Sequence, residues 1–405
     1  MARPLFHGWY VVLCCFGIAL FGWGLGFYGP SVYLVRLREA HGWSAGAISA
    51  ALTFYNLVMA ALVMHIGDTI ARWGARRVVM AGSLALGLGA ACLPVVTALW
   101  QLYLVLFVMA LAFAVIGGAA IAAILAEWFD TKRGLAISLA LNGATVAGIV
   151  ITPAMIWLTG RFGFAAGLWI LIAAMWACLW PPVLLVLRRP GTLGAAPDAA
   201  AMPTRAAQSP AAPPIPRVAL LRDRAIQSVA VAFGLGLSAQ VGFLMHQVNF
   251  LTSRLGIAAA GIGVALTTTV ALVSRVGTGL VVDRLDPRRV AAANFLVQIA
   301  ALGVLLSSAS PTAIYVGCAL FGISVGNMIT LPNLIVQREF PSAQFARAIS
   351  LVFAIDQVVL AFGPGVLGIV RDWSGDYTAA LAVCLVLDVA AFAVVLVRRR
   401  ANAVP

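Results

Sequence analysis

The sequence is short of charge. Asp, Glu, Lys and Arg make up 10% of its 405 residues, against about 25% in an ordinary soluble domain. So little charge cannot coat a globule with solvated side chains, so most of the surface must meet lipid. Other absences narrow the function. No phosphate-cradling glycine loop or nucleophile triad stands outside the apolar runs, and no segment there is large enough for an enzyme domain. His and Cys do not cluster, which argues against a metal site and leaves no cofactor to expect. Cys14, Cys15, Cys92, Cys178, Cys318 and Cys384 all fall within apolar runs and read as small core residues rather than disulfides. A cleavable signal peptide is also missing, because the basic tip leads into a span too long for a signal core.

What is present is apolar length. Hydrophobic residues make up 63% of the chain, in runs of about twenty or more that suit bilayer-crossing helices. The expected fold is an all-α membrane protein with twelve spans, near 8–35, 44–70, 76–97, 99–128, 132–160, 163–187, 222–254, 258–283, 287–308, 311–338, 343–373 and 376–398. A net charge of +13 would suit nucleic acid, but position decides its meaning. With the N-terminus cytoplasmic, most basic residues gather at the cytoplasmic ends. Arg36, Arg38, Arg161, Arg254 and Arg371 lie at the other face, and Arg275 at neither. That bias is topology, the positive-inside pattern, and not a nucleic-acid site. The expected placement is a bacterial-type inner membrane with both termini in the cytoplasm.

Between the sixth and seventh spans, residues 188–221 are rich in Ala, Pro and small polar residues and read as a linker. It separates an N-terminal bundle, 1–187, from a C-terminal one, 222–405. The halves repeat. GDTIARWGARR from Gly67 matches GLVVDRLDPRR from Gly279, and EWFDTKRGLAIS matches REFPSAQFARAIS. Two parallel six-helix repeats are the pattern of a rocking transporter, with substrate held near the midplane between them.

The Gly-x-x-x-Asp-Arg-x-x-x-Arg-Arg loop, with Gly279, Asp283, Arg284, Arg288 and Arg289, resembles the signature of the major facilitator superfamily. The first copy, with Gly67, Arg72, Gly74, Arg76 and Arg77, has Ala71 where the aspartate is expected. HGWYVV (7–12), EAHGWSAGAISAALT (39–53) and WFDTKRGLAISLALNGA (128–144) look like the monocarboxylate porter group, which includes the oxalate–formate exchangers. That resemblance implies an arginine in the eighth span, here Arg275. The aspartate that animal members place one turn earlier is Ala271, the lysine of their first helix is absent, and Asp356 stands in the eleventh span instead of the exchangers' lysine. The resemblance also implies a monomer.

Arg275 lies about 12 Å along a helix from Asp283, too far to snorkel, and burying its charge costs about 2.5–3.5 kcal/mol or more. Thr267, Thr268, Ala271, Thr278 and Gly279 share its face, whereas Val273, Val276 and Leu280 lie opposite. The small, hydroxylated stripe is expected to face a wet cavity, with Arg275 as the anion site; a structural ion pair within the second half is the alternative. Asp356 has apolar neighbours, which favour its protonated form, while a nearby guanidinium favours the ionised one. It is the expected proton carrier, pairing with Arg275 until a substrate carboxylate arrives; a permanent salt bridge is the alternative. His246 is the second proton candidate, since imidazole titrates nearest neutrality, and it shares a face with Asn249 and Ser253.

Tyr28, Tyr55, Asn142, Asn249 and Asn327 are candidates to bond substrate, or to join helices. Pro153 and Gly363-Pro364-Gly365 should bend their spans. Glu127, Asp130 and Glu339 are expected to contact Arg133 or Arg347. Asp388, inside the twelfth span, has no role from sequence. The expected function is proton-coupled transport of a small monocarboxylate such as lactate or pyruvate, with the organic anion, protons and the bilayer as partners. A proton-antiporting exporter of amphipathic compounds and an organic-anion exchanger are the alternatives.

Overall fold

Inside a bilayer an apolar stretch finds no water for its backbone, and the helix satisfies each N–H and C=O internally. The computed structural model describes residues 6–43, 45–129, 132–188, 217–308 and 310–397. Among these residues every regular element is helical. Ten helices are long and apolar enough to cross a membrane, and there are up to twelve if each of two bent pairs is one span. This is a multi-pass helical membrane protein.

The spans of the first half are His7–Tyr28, the bent pair Ala50–Val63 and Ile66–Trp73, Ala75–Val95, Leu99–Ala126, Arg133–Phe162 and Phe164–Val186. Those of the second are Arg224–Leu255, Ile257–Val281, Pro287–Ser307, the bent pair Pro311–Asn327 and Leu331–Glu339, Gln344–Ser374 and Thr378–Val395. They are numbered one to twelve below. The chain divides into two compact units, Met1–Ala212 and Pro213–Pro405. That boundary falls in the segment expected to link the halves, of which residues 189–216 lie outside the described residues. Arg217–Leu221 is a short helix, with Leu220 buried.

Local chemistry sets the ends and the breaks. The carboxylates of Asp223 and Asp286 accept the backbone N–H of Ala225 and Arg288 at 2.8 and 3.0 Å, starting the seventh and ninth spans. Gly74 turns the chain between the second and third at φ +82°, where a side chain would be strained. The eleventh span breaks just before Gly363-Pro364, as those residues suggest, but the fifth runs unbroken through Pro153. The first span carries an unanticipated turn of π-helix at Trp23–Tyr28.

Large apolar side chains such as Leu13, Trp100, Leu185 and Ile369 are exposed, in keeping with a lipid-facing surface. The cysteine expectation holds for Cys14, Cys15, Cys318 and Cys384. Cys92 and Cys178 are exposed instead, because they stand on outward faces of their helices.

Candidate functional site

In the second unit, the eighth and tenth spans meet along small residues. A Cβ at Gly322 would stand 2.5 Å from the Thr267 carbonyl oxygen, and one at Gly326 would stand 2.3 Å from that of Ala271. Only glycine permits this approach. The stripe expected to face a cavity is therefore in large part a helix contact: Thr267 and Ala271 are buried, and the Thr267 hydroxyl donates to the Cys318 carbonyl at 3.1 Å. The opposite face behaves as expected, with Val273 and Leu280 exposed.

The close approach brings Arg275 to the tenth span. Its side chain is 2% exposed, and Nε donates to the carbonyl of Gly326. Asn327, next in sequence, donates from Nδ2 to Ser274 Oγ at 3.1 Å, to Asn294 Oδ1 at 3.3 Å and to the Ile323 carbonyl at 3.0 Å. Arg275 and Asn327 thus occupy one level of the unit, as neighbours of a shared backbone contact.

Asp356 is placed differently. It is buried at 1% exposure, and neither carboxyl oxygen has a hydrogen-bond partner. The expected pairing with Arg275 is not made in this conformation, because the guanidinium Nε takes a backbone carbonyl of the tenth span. His246, half-buried, lies with Nε2 3.2 Å from the Pro364 carbonyl oxygen and its ring centroid 5.8 Å from that of Tyr377. It meets the start of the helix that follows the break in the eleventh span. Asn249 is exposed and does not join it.

In the first unit, Tyr55 is 3% exposed, and its hydroxyl donates to the Gly26 carbonyl at 2.7 Å. Tyr33 donates to the Leu25 carbonyl at 2.5 Å. Both bonds terminate on the π-turn, where a widened backbone frees carbonyls from the regular ladder. Tyr55 therefore braces the first span instead of presenting its hydroxyl to an open surface. Tyr28 ends that turn and packs toward Gly148 of the fifth span, whose buried face also carries Asn142.

The signature loops differ in detail. Arg72, Arg76 and Arg77 are exposed, and the last two line a small cavity with Trp73, Glu127 and Arg188. Gly67 and Gly279 are buried in helix. Asp283 stands in the single turn Val282–Arg284, Arg284 is exposed, and Arg289 is 4.0 Å from Asp286. Arg288 is 2% exposed and bonds Glu339 at 2.5 Å. Arg288 is thus a partner of Glu339 that the sequence did not suggest. Arg133 donates to the Phe129 and Ala126 carbonyls at 2.7 and 3.3 Å. Asp130 lies outside the described residues. Among the described residues no three His, Cys, Asp or Glu are grouped to hold a metal.

The profile of the Major Facilitator Superfamily matches residues 14–364, and again 248–404. The chain belongs to the major facilitator superfamily. It is a transporter, not an enzyme. Monocarboxylate transporter 11 of Mus musculus is 26% identical over 394 residues, spanning 93% of this chain and 84% of that protein. The Homo sapiens protein of the same name is 26% identical over 397 residues, spanning 92% and 79%. The fold is also that of the E. coli fucose:proton symporter FucP, at TM-score 0.68 and 15% identity, covering 95% of this chain and 98% of that one. The human organic anion transporter TETRAN matches at TM-score 0.67 and 13% identity, covering 97% and 100%.

Sequence reading passed over Asn294 and Gln298, which face the tenth span from the ninth. Their signal was present: two amides spaced i, i+4 in an apolar helix, on one face.

Proposed function

We propose that this protein carries small organic monocarboxylates across a bacterial-type inner membrane together with protons, by alternating access, as a monomer with both termini cytoplasmic. The observation that carries the reading is Arg275, a guanidinium buried within a spanning bundle and bonded through Nε to a neutral carbonyl. The buried carboxyl of Asp356 makes no hydrogen bond, and Asp388 Oδ1 is held by Gln298. A substrate carboxylate offers guanidinium a charge-assisted, two-point contact, stronger than a bond to a peptide oxygen, and so displaces Gly326. The relatives named monocarboxylate transporter support the same substrate class.

Asp356 is the proton carrier in this reading. Its carboxyl is buried and makes no hydrogen bond, so both oxygens are left to meet whatever enters beside them. His246, at the break of the eleventh span, is the second proton group. Asn327 is a further substrate contact in this unit; Tyr28 and Asn142 are the candidate contacts of the first unit, considered by itself. Tyr55 acts through the π-turn, and exposed Asn249 is the outermost contact.

Proteoliposomes offered labelled carboxylates, with and without an inward proton gradient, test the proposal. Monocarboxylate uptake should rise with the gradient. In Arg275→Ala it should fall by about 30-fold or more, the size expected when one partner of a buried charge contact is removed. Uptake with an unchanged KM in that variant would overturn the assignment.

A further inference from the structure

A hydrogen-bonded chain crosses the second unit from its twelfth span to its eighth. Gln298 Nε2 donates to Asp388 Oδ1 at 3.1 Å, and Gln298 Oε1 accepts from the Ser324 hydroxyl. Ser324 Oγ accepts from Asn294 Nδ2 at 3.0 Å, and Asn294 Oδ1 accepts from Asn327 Nδ2 at 3.3 Å. Asn327 then reaches Ser274 at 3.1 Å, beside Arg275. Asp388, Gln298 and Ser324 are 0% exposed, Asn294 6% and Asn327 4%.

The chain has a direction. From Asn327 onward every link donates toward Asp388, while the link from Asn327 to Ser274 donates the other way. An amide or a hydroxyl can donate either way along such a chain, so something must fix the sense, and the bond from Gln298 Nε2 to the carboxyl oxygen Asp388 Oδ1 does so. With Gln298 Nε2 committed to Asp388, its oxygen must take the hydroxyl hydrogen of Ser324. The hydroxyl lone pairs then take Asn294 Nδ2, and Asn294 Oδ1 takes Asn327 Nδ2. At the near end this leaves Asn327 Oδ1 as a buried acceptor with no hydrogen-bond partner. It belongs to the residue that follows Gly326, whose carbonyl holds Arg275. An orphaned acceptor at that level calls for a donor.

We propose that Asp388 is a positioning residue which, through Gln298, Ser324 and Asn294, holds Asn327 with Oδ1 left without a donor one residue from the carbonyl that binds Arg275, and that the site thereby selects 2-hydroxy over 2-oxo monocarboxylates. A hydroxyl next to the carboxylate supplies the missing donor. A keto oxygen in its place sets acceptor against acceptor. The inference rests on Arg275 as the carboxylate site and adds a preference among its substrates.

Lactate and pyruvate differ in that one group, so the test is their KM and Vmax in proteoliposomes. The wild-type protein should show a KM for pyruvate about threefold or more above that for lactate, the value of one hydrogen bond. Asp388→Leu and Gln298→Leu, which cut the chain at successive links, should bring the ratio toward one by raising the lactate KM with Vmax kept. Asp388→Asn retains an acceptor for Gln298 and should restore the preference. Arg275→Ala should weaken both acids alike; if it does not, the anion-site reading itself fails. A wild-type ratio near one overturns the inference without any variant. So does a ratio unchanged in either leucine variant, or lost equally in Asp388→Asn.

Discussion

Arg288 and Glu339 are joined at two points inside the second unit, Nε to Oε1 at 2.5 Å and Nη2 to Oε2 at 2.9 Å. The same guanidinium donates from Nη1 to Ser228 Oγ at 3.0 Å and to the Val395 carbonyl at 2.6 Å. One signature-loop arginine thus ties together the seventh, ninth, tenth and twelfth spans, and it is a brace before it is a gate charge.

Arg288→Ala removes the buried guanidinium from Glu339, Ser228 and the Val395 carbonyl and should destabilise the protein by about 3–5 kcal/mol. Thermal unfolding in detergent reads the change as a lowered melting point. The double variant Arg288→Met, Glu339→Leu should lose less than Arg288→Ala alone, because no charge is then left buried. Equal melting points for wild type and Arg288→Ala would show that the pair bears no weight.

The eighth and tenth spans touch at Gly326, where an added Cβ lies 2.3 Å from a backbone oxygen that cannot rotate away. Gly326→Ala should cost about 1–3 kcal/mol through helix displacement and should reduce transport, since Arg275 loses its seat. Gly277, with nothing within 4 Å of an added Cβ, is the control. Gly277→Ala should unfold at or slightly above the wild-type temperature.

Tyr55→Phe removes the hydroxyl that serves Gly26 and leaves a buried carbonyl unserved, a loss of about 1–3 kcal/mol. Hydrogen exchange should speed up at the amides of Trp23–Tyr28 while the third and sixth spans keep their protection. Uniform change across the unit would show that the tyrosine supports the whole bundle and not the π-turn.

On the proposed coupling, substrate enters with a proton, so uptake rises as the outside is acidified relative to the inside. Asp356→Asn cannot carry that proton. It should exchange labelled for unlabelled substrate across the membrane at close to the normal rate, while losing the stimulation by an inward proton gradient. Stimulation that survives in Asp356→Asn would move the proton to His246, and His246→Gln would then abolish it.

Much of the architecture is legible in the residues because a bilayer enforces it locally. An apolar run long enough to cross must become a helix, whatever it packs against, so the scarcity of charge and the length of each run suffice to place the spans. The repeated loop motif and the Gly363-Pro364 break follow from local rules as well. At Pro153 the fifth span continues as one helix.

The sites were legible by residue type and not by partner. Arg275 and Asp356 stand out as charges in the wrong solvent, yet whether they meet depends on how helices far apart in sequence pack together. Sequence periodicity assigned Thr267 and Ala271 to a polar face but could not say that Gly322 and Gly326 would close on it. Asp388 had no role until Gln298, Ser324, Asn294 and Asn327 were set side by side by three helices. Sequence by itself determined the solvent, the spans and which charges are out of place; tertiary structure decided their partners. The reason is range: helix formation in lipid is settled within a few residues by backbone bonding, while a side-chain hydrogen bond needs two helices brought within about 3 Å.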